Sequence, residues 1–288
     1  MSTEYRLAYG THANPEDGRC AMEWVSYLAG EPHGDQPACV SPVVRAFCIA
    51  LNDGLEDVPR QRLRPYLTRT IGTADDGFDE ARAWMAMDWL TRTYTPTWLS
   101  AAGLLDASER LRSLPPVSAA PDLAAALEAL RFARQQARAA FGRRAGAWLT
   151  SGVAARASAR EMAWATAAAA AWAAARAGVG DTAGDRARAA ARAAAGDAAA
   201  VVARTARSGT GRAAGREAAR AALAPTLAAL ERSAFALLDR MLPTVPLGPL
   251  FRAEPSRPDA PVAACPEQQS GSPPLPLAGD WRVPASGA

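Results

Sequence analysis

The sequence predicts an all-α protein, and three observations support that fold class. Apolar residues recur at helical spacing along much of the chain, and Pro and Gly separate the helical stretches. Alanine, the strongest helix former, fills 49 of the 120 positions from 121 to 240. The chain is too apolar for a disordered protein, and 4 cysteines in 288 residues are too few for a disulfide scaffold.

Composition and charge divide the chain into three regions. Residues 1–118 predict an acidic head of short helices, 119–242 an Ala/Arg-rich body of bundled or stacked helices, and 243–288 an extended Pro-rich tail. Arginines against acids give −5 (11 against 16) for the first 120 residues and +9 (18 against 9) for the next 120. Either the head and the body dock on one another, or the body faces a polyanion.

Start and stop signals place the helices of the head. A one-sided apolar pattern predicts a helix from Cys20 to Ala29. Ser41 and Pro42 are expected to be the N-cap and first residue of a helix that ends at Asn52-Asp53-Gly54. Thr73 and Asp76 have capping-box spacing, which predicts another helix start there.

One acidic residue of the head is expected to be partly buried. Asp88 lies on the same helical stripe as Trp84 and Met85. A buried carboxylate needs an arginine or backbone donors, and Arg92, one turn on, is the nearest partner. The pair is interpreted as structural.

The body predicts long alanine-rich helices broken at glycines. A leucine stripe begins at Leu123, and the segment from Asp181 to Arg207 is nearly all Ala, Arg and Asp. Glycine-containing breaks are expected at 178–181 and 208–211, and Pro225 is expected to open the last helix. Buried alanines contribute little hydrophobic energy each, so close backbone approach is expected.

The densest polar cluster lies near the N-terminus and holds both histidines of the chain. Its members are His12, Cys20, Glu23, His33, Asp35 and Cys39. The residue types of His12, Cys20, His33 and Cys39 suit a tetrahedral zinc ion, although their spacing fits no zinc-finger pattern. Alternatively, the segment is a structured loop in which the histidines bond locally and the cysteines pack as small hydrophobes.

A thiol-dependent site is a further alternative for the same cluster. Cys20 begins a helix, and His33 would have to fold back toward it to stabilise a thiolate. Asp35 is spaced to orient the His33 imidazole. No third catalytic element is identifiable.

Arginine rows are the other candidate site. Arg131, Arg134 and Arg138 share one helix face, and Arg212, Arg216 and Arg220 share another. Such rows suit phosphates and would contact a nucleic acid or another polyanion. Against this, no aromatics interleave for base stacking, and in a chain without lysine every solvated basic face must carry arginine.

Part of the head resembles a family of uncharacterised, mostly actinobacterial proteins. The resemblance rests on Cys20-Ala-Met-Glu23-Trp, on Gly30-Glu-Pro-His33-Gly-Asp-Gln-Pro-Ala-Cys39, on Leu51-Asn-Asp and on Arg62-Leu-Arg-Pro-Tyr-Leu. It covers about residues 10–118 and implies a shared N-terminal module with a variable helical continuation. It carries no activity and no catalytic roles.

These observations favour a non-catalytic interaction or scaffold protein of the bacterial cytoplasm, which binds a protein partner or self-associates through helix faces. No cofactor is expected, with zinc as the alternative, and nucleic-acid binding is a second alternative function. The longest uncharged stretch of the apolar part, Met162–Ala175, is shorter than the ~20 residues that cross a bilayer, so no membrane association is expected.

Overall fold

The computed structural model describes residues 6–143, 182–207 and 212–242, and these residues confirm the all-α prediction. No strand occurs among them. The α-helices are Ala21–Ala29 (α1), Pro42–Gly54 (α2), Asp57–Arg60 (α3), Leu67–Thr70 (α4), Asp79–Trp89 (α5), Thr95–Ala101 (α6), Leu105–Arg112 (α7), Asp122–Arg143 (α8), Thr182–Ala206 (α9) and Arg212–Met241 (α10). Two 3₁₀ turns, Pro15–Asp17 and Gln61–Tyr66, and a π-turn, Leu90–Tyr94, complete them.

The first two helix starts agree with the sequence prediction. Cys20 is the N-cap of α1, whose end is closed by Gly30 in the left-handed conformation (φ 72°) that glycine adopts without strain. The Ser41 hydroxyl accepts from the backbone N–H of Val44 and caps α2. In both cases the cap side chain satisfies a backbone donor that the helix itself leaves unpaired.

The capping box predicted at Thr73 and Asp76 is wrong, because α5 begins later, at Asp79. The buried Thr73 hydroxyl instead accepts from the backbone N–H of Ser41 at 2.9 Å. Asp76 accepts from the Arg82 guanidinium at 2.7 and 2.6 Å. Both side chains are therefore occupied by tertiary hydrogen bonds, which local spacing does not reveal.

The expectation that Pro225 opens the last helix is also wrong. Pro225 lies inside α10, which begins at Arg212. The alanine-rich residues before the proline have high helix propensity, and Ala219 and Leu223 among them are buried. Their packing offsets the cost of a proline in the helix interior.

A proline also explains the π-turn between α5 and α6. Pro96 has no backbone N–H and therefore cannot donate to the carbonyl four residues earlier. The backbone N–H and the hydroxyl of Thr95 both bond to the Leu90 carbonyl instead. The helix widens there to i→i−5 pairing and continues into α6.

The body is built on an alanine interface. α9 packs most extensively on α8, and it also contacts α10 and α6. Its buried side chains are mainly alanines: Ala187, Ala190, Ala191, Ala194, Ala195, Ala198, Ala199 and Ala203, with Val201. The expected close approach of alanine-rich helices is present in the described part of the body.

Head and body share one continuous hydrophobic core that extends from Leu7 to Leu242. The polar contacts between them include the ion pairs Arg62–Glu231, Arg69–Asp239 (2.8 Å) and Arg110–Glu128 (3.5 Å), and the hydrogen bond from Trp89 Nε1 to Ser233 (3.0 Å). In all three ion pairs the head supplies the arginine and the body the acid. This polarity is the reverse of the one expected if net charge brought the two regions together.

Several sequence predictions fall outside the described residues. These are the glycine-containing breaks at 178–181 and 208–211 and the Pro-rich tail at 243–288. The domain boundary at 118 stays a prediction, since residues on both sides of it contribute to the same core.

One described helix, Ala214–Met241 within α10, is long and apolar enough to span a membrane by length and composition alone. About a third of its most apolar window is buried inside the protein, 33%. The same helix carries Glu231 and Asp239, which pair with arginines of the head. These ion pairs connect the helix to the head.

Candidate functional site

Glu23 is the centre of the N-terminal polar cluster. Its carboxylate is fully buried and accepts from the backbone N–H of His12 at 2.6 Å and of Cys20 at 2.7 Å. The His12 ring adds a contact of 2.8 Å between Nδ1 and Oε2. The carboxylate therefore fixes both the segment that precedes α1 and the first turn of α1.

The electrostatics of Glu23 keep it ionised. Burial raises the pKa of Glu23. The backbone N–H groups of His12 and Cys20 and the His12 ring lower it by more than burial raises it, so the pKa lies below its ordinary value. A carboxylate that accepts several charge-assisted hydrogen bonds is stabilised in its charged form. Glu23 is thus a poor general acid and a strong acceptor.

The remaining acid and histidine of the cluster tie two loops together. His33 Nε2 donates to the carbonyl of His12 at 2.9 Å, and Asp35 accepts from the Thr11 hydroxyl at 2.8 Å. The described hydrogen bond of Asp35 is with Thr11, and not with the His33 ring that the sequence analysis expected it to orient. Together these bonds hold the 30–37 loop against residues 11 and 12.

Cys20 acts as a capping group. Its Sγ accepts from the backbone N–H of Glu23 at 3.5 Å and completes a capping box. Burial raises the pKa of the Cys20 thiol to about 12, and the nearby Glu23 charge raises it as well. At neutral pH the reactive thiolate is therefore scarce, which disfavours a nucleophilic role.

Cys39 is buried and held by its backbone. Its N–H donates to Glu31 at 3.0 Å, and its carbonyl accepts from Gly72 and Ala74. Among the residues that the structure describes, which include His12, Cys20, His33 and Cys39, no three His, Cys, Asp or Glu side chains form a group that would hold a metal ion. The zinc site stays a prediction of the sequence.

Two further residues hold the segments of this region together by hydrogen bonds, and the sequence patterns did not indicate either of them. Asn52 is fully buried; it accepts from the backbone N–H of Ala21 at 3.2 Å and donates to the carbonyl of Ala8 at 2.9 Å. Glu31 accepts from the backbone N–H of Ala38 and Cys39. The only signal in the sequence was the Asn-Asp-Gly turn, where Asn52 was interpreted as a helix stop.

The predicted pair of Asp88 and Arg92 forms, with 3.1 Å between Oδ1 and Nη1. Asp88 also accepts from the backbone N–H of Val117 at 2.9 Å. This second bond fixes the chain just before α8. The structural interpretation of Asp88 agrees with this arrangement.

The arginine rows differ in how far they are engaged. Arg131, Arg134 and Arg138 of α8 are exposed and form no hydrogen bond or ion pair with described residues. In the second row Arg216 is exposed and Arg220 pairs with Glu217 at 3.2 Å, while the side chain of Arg212 lies outside the described residues. The α8 row is therefore the stronger candidate for an anionic partner.

Asp197 of α9 lies within electrostatic reach of two arginines of the α8 row, Arg134 and Arg138. Burial raises the pKa of Asp197, and the charges of Arg134 and Arg138 oppose that rise. Asp197 interacts with the row through space, without a direct ion pair. The three arginine side chains of the row are exposed at the surface.

No protein-family model, curated protein or solved structure matches the chain.

Proposed function

We propose that the chain is a non-catalytic interaction or scaffold protein of the bacterial cytoplasm, and that it binds a protein partner through exposed helix faces. The proposed binding face is the α8 row, which consists of Arg131, Arg134 and Arg138. The partner surface it suits is acidic.

One observation carries the proposal: among the described residues, the arginines of the α8 row are exposed and form no ion pair or hydrogen bond. The described ion pairs between head and body use acids of the body, Glu231 and Asp239 of α10 and Glu128 of α8. The row spans about 10 Å of helix at 1.5 Å per residue, a length that suits a short acidic segment or helix.

The polar cluster of the head supports a non-catalytic role. Its strongest acceptor, Glu23, and its capping thiol, Cys20, are both buried and bonded to backbone groups. A catalytic group needs access to substrate and a pKa suited to proton or electron-pair transfer. Neither side chain combines the two.

The proposal is tested by affinity capture from bacterial cytoplasmic extract with the full chain as bait. The variant Arg131→Gln/Arg134→Gln/Arg138→Gln is compared with Arg6→Gln/Arg110→Gln/Arg112→Gln, which removes the same charge from exposed positions of the head. We expect one stoichiometric protein partner, captured about tenfold less by the α8 variant and undiminished by the control.

Two outcomes contradict the proposal. One is a partner that binds the α8 variant as well as it binds the unaltered chain. The other is turnover of a substrate, in a broad panel, that Cys39→Ala abolishes. Self-association through the α8 row is read from the same variants by sedimentation at increasing concentration.

Nucleic-acid binding is the second candidate, because an unpaired arginine row suits phosphates as well as carboxylates. It predicts that the affinity for a mixed-sequence duplex falls with salt, with a slope of about −0.9 per neutralised phosphate. Binding that is absent at low salt contradicts it.

The zinc alternative has a direct test of its own. Elemental analysis of the purified full chain would find about one zinc per chain if the site forms, because structural zinc binds tightly at neutral pH. Less than about 0.2 zinc per chain after purification without chelator removes the zinc hypothesis.

A further inference from the structure

We infer that Arg19, together with Trp24 and Tyr27, forms a binding site for an oxyanion, a carboxylate or a phosphate group. The site lies at the start of α1 and is separate from the α8 row. It does not depend on the protein partner proposed above.

Two aromatic rings hold the Arg19 guanidinium in place. Its central carbon lies 4.8 Å from the centroid of Trp24 and 4.7 Å from that of Tyr27. The two rings are themselves in edge contact, with centroids 5.7 Å apart and an interplanar angle of 85°. Two flanking rings restrict a side chain that otherwise has many rotamers, so the charge is pre-positioned.

The backbone around Arg19 is also fixed. The Arg19 carbonyl accepts from the backbone N–H of Ala8 at 2.8 Å, and the next residue, Cys20, caps α1. Trp24 Nε1 donates to the carbonyl of Arg6 at 3.0 Å, which orients its ring. The Arg19 backbone and the Trp24 ring, which together position the guanidinium, are therefore each fixed by a hydrogen bond to another segment of the head.

The guanidinium lacks an acceptor. Arg19 Nε is buried without a hydrogen-bond partner. No ion pair or hydrogen bond of the side chain occurs within the described residues, and Arg19 as a whole is partly exposed. Since Nε is closed off, the Nη1 and Nη2 groups are the donors that a ligand would meet.

Comparison with the other ring-stacked arginines shows that this lack is unusual. Within the described ranges, the arginines stacked on one ring are Arg60, Arg62, Arg69, Arg82, Arg110 and Arg204. Each of these also pairs with an acid or donates to a backbone carbonyl. Arg19 contacts two rings and has no acceptor among the described residues, so the position of the acceptor is open to a ligand.

The chemistry of the free edge defines the ligand class. The two Nη groups of a guanidinium form a planar fork that matches the paired oxygens of a carboxylate or phosphate. The two rings lie on adjacent sides of the guanidinium, because their centroids are only 5.7 Å apart, and they shield part of the fork from water, which strengthens charge-assisted bonds there. A neutral ligand would leave the charge unpaired.

The test uses the full chain and nuclear magnetic resonance of the arginine side chains. The Nε–H signal of Arg19 is assigned by its loss in Arg19→Lys and is then titrated with inorganic phosphate, with acetate and with chloride at matched ionic strength. We expect a saturable shift of this signal with phosphate, acetate or both, and none with chloride. The anion that binds with the higher affinity shows whether the natural ligand group is a phosphate or a carboxylate.

Variants supply an independent readout of the same binding by calorimetry. Arg19→Gln is expected to weaken the binding of the preferred anion at least tenfold, since it removes the charge and the fork. Arg112→Gln, an exposed arginine of the head that donates to Ser100, is the matched control and is expected to change nothing. The titration of the unaltered chain decides the matter even if Arg19→Gln fails to fold.

The inference is overturned if neither anion shifts the Arg19 signal. It is also overturned if chloride shifts it equally, or if Arg112→Gln weakens binding as much as Arg19→Gln does. Affinity capture by the α8 row is measured separately, so failure of the oxyanion site leaves the proposed function untouched.

Discussion

The head and the body solve the same packing problem in different ways. The head buries large side chains, such as Trp98, Tyr94 and Phe47, around polar groups that are hydrogen-bonded in the interior. The body places α8 and α9 together on a surface of alanines. Large side chains contribute area, whereas alanines contribute close approach of helix backbones.

Because of this difference, different kinds of substitution should destabilise the two regions. In the head, buried polar groups such as Glu23 and Arg82 make the structure depend on complete hydrogen-bond networks. In the body, the buried alanines carry only a methyl group, so truncation removes little. A larger side chain would not fit between the closely packed helices. Removal of a hydrogen-bond partner from a buried polar group should lower the stability of the head. Enlargement of a buried alanine should lower the stability of the body.

The largest effect is expected from Arg82→Met. The buried guanidinium pairs with Asp76 and donates to the carbonyl of Met241 at 2.9 Å, at the end of α10. Its removal leaves a carboxylate and a carbonyl without their donor, which we expect to lower the free energy of unfolding by about 3–5 kcal/mol in urea denaturation. Arg6→Met, in an exposed pair with Asp57, is the control and should cost less than about 1 kcal/mol.

Glu23→Gln is expected to come next, at about 2–4 kcal/mol in the same measurement. The amide keeps the volume but places an NH₂ group against the backbone donors of His12 and Cys20. Glu16→Gln, in an exposed position of the same segment, is the control. Equal stability of the two variants would contradict the proposed role of Glu23.

In the body, Ala194→Leu should cost about 1–3 kcal/mol, because the side chain of Ala194 is fully buried in the alanine interface. Ala189→Leu, at an exposed position of α9, adds the same volume and should change the free energy of unfolding little. If both variants are equally stable, α8 and α9 are less closely packed than described, and the contrast between the two regions fails.

The smallest effect is a pH dependence that belongs to the head. The pKa of Glu23 is lower in the folded protein than its ordinary value of 4.5, so its ionised form stabilises the fold. That stabilisation is complete above pH 4.5 and is lost as the pH falls through the folded pKa. The stability difference between the unaltered chain and Glu23→Gln should therefore be constant from about pH 5 to 7 and shrink below, a trend that acid urea titrations would follow.

Local patterns predicted the elements better than they predicted the partners. Ser41 was recognisable as a cap, and the start of α1 was placed next to Cys20, because both signals depend on residues within a turn or two. Thr73, Asp76 and Pro225 were misinterpreted because their roles depend on residues far along the chain or on packing. The same reason hid Asn52, whose partners Ala8 and Ala21 are more than 30 residues away.

The candidate site shows the same limit. The structure brings His12, Cys20 and Glu23 of the predicted cluster together, but residue types alone do not distinguish a carboxylate that accepts from backbone N–H groups from one that binds a substrate. The direction of net charge also misled, since the arginines of the head and the acids of the body form the contacts between them. Net charge is a sum over a region, whereas an ion pair depends on which few side chains meet.

The most direct test of the account is the free energy of unfolding of Glu23→Gln beside that of Arg131→Gln/Arg134→Gln/Arg138→Gln. Polar groups kept for binding or chemistry usually leave stability unchanged or raise it when they are replaced, whereas structural groups lower it. A structural role for Glu23 predicts a loss of about 2–4 kcal/mol for Glu23→Gln, and an exposed arginine row predicts a loss of less than about 1 kcal/mol for the α8 variant. A Glu23→Gln protein that is as stable as the unaltered chain, or more stable, would contradict it and return the N-terminal cluster to the position of a functional site.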